Sequence, residues 1–264
     1  MGKRALCVGI NNYPGRDDDL SGCVNDAHAW AALLTDHYDF SRPDVQVLLD
    51  KKATHRAVTA GLKRLLKGAR RGDVLVFTNA SHGTYIADDD EDEPAYDEAL
   101  CPWDAEDKPL LDDELRELFA DVPAGVRLTV VLDSCYSGTG TRLWPGHAGP
   151  PRRPRFLPPT HIGRRAINTR TARRRTPRGS ESAMKELLLA GCSDQQESND
   201  VDFPEASHGA MTYYALRAIA GANYRISYAT LLGRVRSALR TNGFLDQTPQ
   251  LEGKASAKRR QVFT

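Results

Sequence analysis

Two residues that can act together as a nucleophile and a base follow apolar stretches of the sequence. His82 comes after the run DVLVFTNAS, and Cys135 comes after RLTVVLDS. An imidazole close to a thiol can take its proton and later protonate a leaving amine, so the pair is sufficient for covalent acyl transfer. The alternative is that Cys135 is a buried structural thiol and that His82 is a hydrogen-bonded core or loop histidine.

The apolar runs before these two residues are predicted to be strands of one sheet. Strand patterns alternate with helix patterns along the chain. The strands are expected at 4–10, 45–50, 73–80, 127–133 and 186–192, and the helices at 24–37, after Thr54, near 112–120, at 209–220 and at 227–240. The tail RRQVFT is expected to add an edge strand. This order predicts an α/β fold with a mostly parallel sheet and helices on both faces. Since reactive groups collect beyond the carboxyl ends of parallel strands, His82 and Cys135 would meet if their strands are neighbours.

The composition is that of an ordinary soluble globular protein. The chain has 264 residues, of which 40% are hydrophobic and 27% charged, and no apolar run is long enough to cross a membrane. We therefore expect a cytoplasmic protein without membrane contacts. The five cysteines are odd in number and include no CxxC pair, which argues against a disulfide framework or a zinc site.

The net charge of +1 conceals two segments of opposite charge. Residues 142–178 contain 11 Arg and no Asp, Glu or Lys, whereas residues 87–98 contain eight carboxylates. Dispersed Arg could contact phosphates, but only Trp144 and Phe156 are interleaved with it, so a nucleic-acid stacking platform is not indicated. The seven prolines between 139 and 182 predict a mobile linker or an extended loop there.

Several motifs together resemble those of one enzyme family. ASHGT at 80–84 and DSCYSG at 133–138 look like the histidine and cysteine motifs of the caspase-like cysteine peptidases of clan CD, family C14, specifically the metacaspase or orthocaspase branch of prokaryotes and plants. ALCVGINNYP, LSGCVNDA, LLLAGCSDQQES, HGAMTYYALRAI and QTPQLEG are similar to further segments of that family. The resemblance implies a caspase-hemoglobinase-like fold in one domain. Residues 1–141 would be the large-subunit-like region, 142–182 an Arg/Pro-rich linker or activation loop, and 183–264 the small-subunit-like region.

The resemblance also implies roles for individual residues. Cys135 would be the nucleophile and His82 the general acid/base, with the backbone N–H groups of Gly83 and Cys135 forming the oxyanion hole. Asp26 and Asp133 would line a pocket for the basic residue of protein substrates cleaved after Arg or Lys. Without the family, Asp26 reads as a surface helix residue and Asp133 as a residue that caps a loop.

The sequence departs from the family pattern in two places. Ala80 and Ser81 stand where the family usually has serine and glycine, which puts the hydrogen bonding of the basic pocket in doubt. No cofactor is required for the chemistry, but some metacaspases bind calcium through carboxylates that match Asp97, Asp112 and Asp113 here. No carboxylate occurs at 136–143, where the family has a further one, and the acidic run at 88–93 reads equally as a solvated loop.

The arginine-rich segment suggests how such an enzyme would be controlled. RRPR, GRR, ARRR and PRGS offer many bonds that an Arg-directed peptidase, or an upstream activating protease, could cut. We therefore expect a zymogen that is activated by proteolysis at 142–182 and is a monomer. The alternative is a weakly active or inactive caspase-like module that acts by interaction, its basic segment binding nucleic acid or an acidic partner. Another cysteine hydrolase activity on the same fold is a further alternative.

Overall fold

A six-stranded sheet organises the chain in the computed structural model, which describes residues 1–14, 18–87, 96–136, 151–163, 181–193 and 196–264. The sheet contains, in chain order, β1 (Lys3–Gly9), β2 (Val45–Leu49), β3 (Val74–Ala80), β7 (Arg127–Asp133), β9 (Glu186–Ala190) and β12 (Gln250–Glu252). Their spatial order is β12-β9-β7-β3-β1-β2. All neighbours pair in parallel except β12, which is antiparallel to β9. The predicted α/β fold with a mostly parallel sheet is confirmed.

Helices cover both faces of this sheet. The larger core lies under α1 (Cys23–His37), α4 (Ala210–Ala220) and α5 (Tyr228–Thr241), and the second core lies under α2 (His55–Leu66) and α3 (Asp112–Ala120). A short α6 (Ala255–Lys258) follows β12, and single 3-10 turns occur at Arg42–Asp44, Asp50–Lys52, Pro159–His161 and Glu181–Ala183. Among the described residues, no helix is long and apolar enough to cross a membrane.

Local sequence explains where these elements begin and why they are buried. Every residue of β3 is buried, as its continuous run VLVFTNA requires of a strand covered on both faces. The Thr54 hydroxyl accepts a hydrogen bond from the Ala57 N–H at the start of α2, and Ser227 caps α5 in the same way. The first turns of α1 and α4 are held by side chains from elsewhere in the chain, since the Val24 N–H donates to Asn11 Oδ1 and the Thr212 N–H donates to Asp133 Oδ2.

Two small sheets flank the carboxyl end of the large one. The first contains β4 (Gly83–Ala87), β5 (Tyr96–Leu100) and β6 (Leu110–Leu111), and the second contains β8 (Arg152–Pro154), β10 (Asn199–Asp202) and β11 (Ser207–Gly209). β8 lies within the 142–182 segment that was predicted to be a linker. Residues 152–154 of that segment therefore form a paired strand, while residues 142–150 and 164–180 lie outside the described part of the chain.

The expected edge strand at the C-terminus is wrong. The edge position beside β9 belongs to β12, and the tail makes only an isolated bridge between Ser227 and Gln261. Val262 and Phe263 are instead 0% and 1% exposed in the larger core, where the Phe263 ring packs against that of Trp30. The apolar residues of the tail are used for core packing and not for strand pairing.

Candidate active site

The sheet brings His82 and Cys135 to the same edge. β3 and β7 are parallel neighbours in a register that pairs Ala80 with Asp133, so each reactive residue lies two positions beyond a paired residue. The side chains are buried, with 3% of His82 and none of Cys135 exposed. The condition set in the sequence analysis, that the two strands be neighbours, is therefore met.

One nitrogen of the His82 ring is fixed by a hydrogen bond, and the other is available to accept a proton. Its Nε2 atom lies 2.6 Å from the backbone oxygen of Asp18, which can only accept, so Nε2 carries the proton. In the neutral ring Nδ1 is then an acceptor, and it is buried without a hydrogen-bond partner among the described residues. Burial lowers the pKa of His82 to about 4, against the opposing effect of the Asp18 carbonyl. The ring is therefore neutral at pH 7 and can accept a proton at Nδ1.

The Cys135 thiol is held in its protonated form. Its Sγ atom donates to the Ser198 carbonyl at 3.0 Å and accepts from the Ser198 N–H. Burial raises the pKa of Cys135 well above its usual value, and the hydrogen bond with Cys192 raises it further. Since the thiolate is the reactive form of a cysteine, burial and these hydrogen bonds lower the reactivity of the Cys135 thiol in this arrangement.

A carbonyl group of the chain itself occupies the position between the two reactive strands. The Arg155 oxygen accepts hydrogen bonds from the N–H groups of Gly83 at 2.9 Å and of Cys135 at 3.1 Å. These are the two donors expected to form the oxyanion hole. A Cβ atom at Gly83 would overlap the Cys135 carbonyl oxygen, so only glycine lets the two strand ends approach this closely.

The side chain of Arg155 is fully buried in a pocket of three carboxylates. Its Nη2 atom lies 2.6 Å from Asp26 and 2.8 Å from Asp200, and its Nε atom donates to Asp200 at 3.2 Å. Its Nη1 atom donates to the Asp133 backbone oxygen at 3.1 Å and lies 3.4 Å from the Asp133 carboxylate. The structure thus brings Asp26 and Asp133 together around one guanidinium.

Each carboxylate is oriented by further hydrogen bonds. Asp26 contacts His208 Nδ1 at 2.8 Å and accepts from the Gly209 N–H, while Asp133 accepts from the hydroxyl of Thr212 at 2.7 Å. Burial raises the pKa of Asp26, and the Arg155 cation opposes that rise. Three carboxylates thus surround the one guanidinium of Arg155.

Sequence reasoning missed Asp200. The motif LLLAGCSDQQES was recognised, but Asp200 lies two residues beyond it, at the second position of β10. Its Oδ2 atom also accepts from the Ser21 N–H at 2.7 Å, ahead of α1. The available signal was the alternation in NDVD, which places Asn199 and Val201 on the opposite side of the strand from Asp200.

The two departures from the family motif have a local effect. The Ser81 hydroxyl donates to the His82 carbonyl at 2.8 Å and accepts from the Asn79 amide at 2.8 Å. Ser81 therefore stabilises the turn that carries His82. Ala80 pairs with Asp133 in the sheet.

The residues predicted to bind calcium do not form a metal site in the described part of the chain. Asp112 and Asp113 both form ion pairs with Arg116, and the Asp112 carboxylate also accepts from the Asp113 N–H. Asp97 lies on β5, and no group of three or more His, Cys, Asp or Glu able to hold a metal occurs among the described residues. The acidic run at 88–95 lies outside them. Arg116 balances the charge of two of these three carboxylates in this arrangement, and calcium binding by them stays a prediction.

The low pKa of His82 predicts a specific pH dependence of stability. Between pH 6.5 and 4 the unfolded chain takes up a proton at His82 that the folded chain does not, so the free energy of unfolding falls as the pH falls. The expected loss from this residue is roughly 3 kcal/mol across that window. Urea unfolding of the wild type and of His82→Gln at several pH values would measure it as a difference in slope. Parallel curves would contradict the neutral, buried imidazole.

Comparison with known proteins places this chain in a family. Residues 3–143 match the metacaspase, peptidase C14 domain. Metacaspase-7 of Arabidopsis thaliana is 40% identical over 145 residues, covering 52% of this chain and 35% of that protein. Metacaspase-1 of Cryptococcus neoformans is 30% identical over 285 residues, covering 94% and 62%. Metacaspase-1 of Pyricularia oryzae is 30% identical and is covered over 71% of its length. The chain thus spans less than two thirds of the length of the first two relatives.

Solved structures agree with this placement. A crystal structure of a protein from Geobacter sulfurreducens superposes with a TM-score of 0.79 and 27% identity, covering 100% of this chain and 99% of that one. Caspase-1 from Spodoptera frugiperda superposes with a TM-score of 0.60 over 95% of this chain and 86% of that one. At 14% identity the second likeness shows the fold alone, which is that of the caspases.

Proposed function

Because the chain belongs to the metacaspase, peptidase C14 family, we propose that it is a cysteine endopeptidase that cleaves proteins after arginine. Cys135 is the nucleophile and His82 the general acid/base. The observation that carries the proposal is the position of Arg155, which has its guanidinium among three carboxylates and its carbonyl oxygen on the N–H groups of Gly83 and Cys135. That is how the residue before a scissile bond would bind.

The proposed chemistry uses the acceptor at His82 Nδ1, which has no hydrogen-bond partner in the described part of the chain, and the two N–H groups that bind the Arg155 oxygen. His82 takes the Cys135 proton at Nδ1, the sulfur attacks the substrate carbonyl, and the N–H groups of Gly83 and Cys135 stabilise the negative oxygen that develops. His82 then gives the proton to the leaving amine, and water hydrolyses the thioester. Each oxyanion donor contributes on the order of 3 kcal/mol to stabilising the transition state in comparable enzymes.

The pocket favours arginine over lysine. Each nitrogen of the planar Arg155 guanidinium group donates to a different acceptor: Nε to Asp200, Nη1 to the Asp133 backbone oxygen and Nη2 to Asp26. A lysine ammonium is a single point charge and would leave at least one buried carboxylate without a charged partner. Aspartate in this pocket would be repelled by all three carboxylates.

The proposal includes that the intact chain is a zymogen. The chain's own Arg155 fills the pocket, and the thiol is un-ionised and buried. Activation requires this segment to be cleaved or displaced, either by the enzyme itself after Arg155 or by another Arg-directed protease acting within 142–182. Calcium, a cytoplasmic location and a monomeric state remain predictions.

Turnover of short fluorogenic peptides tests the proposed function. Peptides that end in Arg, Lys or Asp would be assayed before and after limited proteolysis at 142–182, with and without calcium, in wild type and Cys135→Ala. We expect Arg to be preferred over Lys by about tenfold or more, no turnover of Asp, and no activity in Cys135→Ala. Preferred cleavage after Asp would refute the pocket assignment. If no peptide is turned over under any condition, the alternative of an interaction module replaces the enzyme.

A further inference from the structure

The chain that follows Arg155 packs and hydrogen-bonds against the rest of the protein, as does the chain that precedes it. We call residues 156–163 the docked segment. Leu157 and Ile162 are each 5% exposed and form a small apolar cluster with Ile86, Cys101 and Ala105. The Leu157 N–H donates to the Gly83 carbonyl at 2.8 Å, so the docked segment begins on the same glycine that binds the Arg155 oxygen.

Polar and aromatic contacts hold the rest of the docked segment. The Gly163 N–H donates to the Glu106 carbonyl at 2.6 Å, and the Phe156 ring stacks on the Tyr85 ring with centroids 5.9 Å apart. His161 Nδ1 lies 3.0 Å from the Asp18 carboxylate. Asp18 is also the residue whose carbonyl orients the catalytic histidine, so the docked segment is tied to the loop that positions the catalytic base.

The other side of the Arg155–Phe156 bond is held independently. Residues 152–154 pair with β10, and the Arg155 N–H donates to the Ser198 carbonyl at 2.9 Å. The Arg155 side chain adds the buried ion pairs of the pocket. Breaking this one peptide bond therefore releases neither end from the protein.

Resting on the proposed function, we propose a second activity of the same site: after cleavage the docked segment keeps the new Phe156 amine at the thioester, where it rejoins the bond. In the forward step Cys135 sulfur bonds to the Arg155 carbonyl carbon, the bond to Phe156 nitrogen breaks, and that nitrogen receives the proton that His82 took from the thiol. In the reverse step the Phe156 amine attacks the thioester carbonyl, its proton returns through His82, and Cys135 leaves as the thiol. Water competes with the amine for the thioester and leaves Arg155 as a carboxylic acid beside a free Cys135 thiol. In the reverse of that hydrolysis the acid acylates Cys135 and water leaves, so a nicked chain re-enters the same thioester and no other reactant is needed.

Proximity gives the amine an advantage over water. A nucleophile held in the correct geometry reacts as if present at effective concentrations of about 10⁵ M or more, far above the concentration of water. Self-cleavage then leads to an equilibrium mixture of intact and nicked chains. Full activation requires that the docked segment leave its site. The amine-binding site takes a peptide that begins with an aromatic and then an aliphatic residue, as Phe156 and Leu157 do.

The experiment follows the return of intact chain from purified nicked protein. Nicked wild type, with both fragments still associated, would be incubated and examined by denaturing gel and mass spectrometry, beside the same protein alkylated at its thiol. Leu157→Ser and Ile162→Ala weaken the docking cluster, and Thr160→Ala, an exposed position in the same segment, is the matched control. We expect intact chain to return in wild type and Thr160→Ala, to return to a smaller extent in the two cluster variants, and not to return in the alkylated protein. The ratio of nicked to intact chain is expected to be about tenfold higher in both cluster variants.

The outcomes separate this proposal from the proposed function. If no intact chain returns and the cluster variants are nicked like wild type while Arg peptides are still cleaved, rejoining is refuted and the peptidase stands. If Arg peptides are cleaved but the chain itself is never cut after Arg155, rejoining is also refuted. If neither peptides nor the chain are cleaved, the proposed function itself fails. If the two fragments of nicked wild type dissociate under native conditions, the inference that Phe156 stays at the thioester is refuted.

Discussion

Arg155→Gln is expected to lower the free energy of unfolding at pH 7 by about 3–5 kcal/mol, since it removes the only guanidinium from a pocket that buries three carboxylates. Glutamine keeps much of the length and some hydrogen bonding but none of the charge. Asp26, Asp133 and Asp200 would then repel one another at 0–5% exposure. Urea unfolding measures the loss directly, provided that wild type and variant are both uncut.

The sign of the pH dependence distinguishes this cause from simple loss of packing. Burial raises the pKa of Asp26, and without the Arg155 cation nothing from that side opposes the rise, so Asp26 takes up a proton as the pH falls and the deficit of Arg155→Gln shrinks towards acid pH. Arg153→Gln is the matched control, because Arg153 is exposed and is expected to change stability by less than about 0.5 kcal/mol. A deficit that is equal at pH 7 and pH 5, or that Arg153→Gln shares, would count against a pocket held by charge.

Asp26→Asn is expected to lower kcat/KM for Arg peptides by about 10²–10³-fold, the effect of truncating one partner of a buried, hydrogen-bonded charge pair. Asn has nearly the same shape and can still accept from Gly209, so the change is mainly one of charge. The 2.6 Å contact between Asp26 and the guanidinium is the shortest contact that Arg155 makes with the three carboxylates. The loss is expected for Arg and Lys peptides alike.

The control for this variant lies on the same helix. Asp36 is exposed near the end of α1, and Asp36→Asn is expected to leave kcat/KM unchanged. Circular dichroism and the unfolding midpoint of Asp26→Asn establish that the assayed protein is folded. Full activity of a folded Asp26→Asn on Arg peptides would remove Asp26 from the specificity pocket.

The position of each reactive residue at the end of its strand was predictable from the strand pattern, whereas the pairing of the two strands was only a condition of the prediction. Two apolar runs that end in His82 and Cys135 lie side by side in parallel, and a parallel register carries both residues to one edge. The family motifs added Asp26 and Asp133 at positions where the sequence by itself offers only a helix residue and a strand end. Both carboxylates contact the same guanidinium in the structure.

The identity of the pocket's occupant was not predictable. Eleven arginines lie between 142 and 178, and nothing in their local sequence distinguishes Arg155. It is selected by tertiary pairing of residues 152–154 with β10 and by burial of Leu157 and Ile162 on the other side. The C-terminal tail could not be placed from the sequence for a similar reason. Its apolar residues suit either an edge strand or the core, and the edge position beside β9 is taken by β12. For calcium, the sequence could not reveal that Arg116 pairs with Asp112 and Asp113.

The most direct test of the account is the mass of the chain's own cleavage products. Wild type and Cys135→Ala would be incubated with and without calcium, then denatured and weighed intact. The account predicts a pair of fragments, 1–155 and 156–264, in wild type and none in Cys135→Ala. Absence of that pair in wild type that cleaves Arg peptides without treatment by another protease, or its appearance in Cys135→Ala, would contradict the assignment of Arg155 as the substrate residue of the Cys135 site.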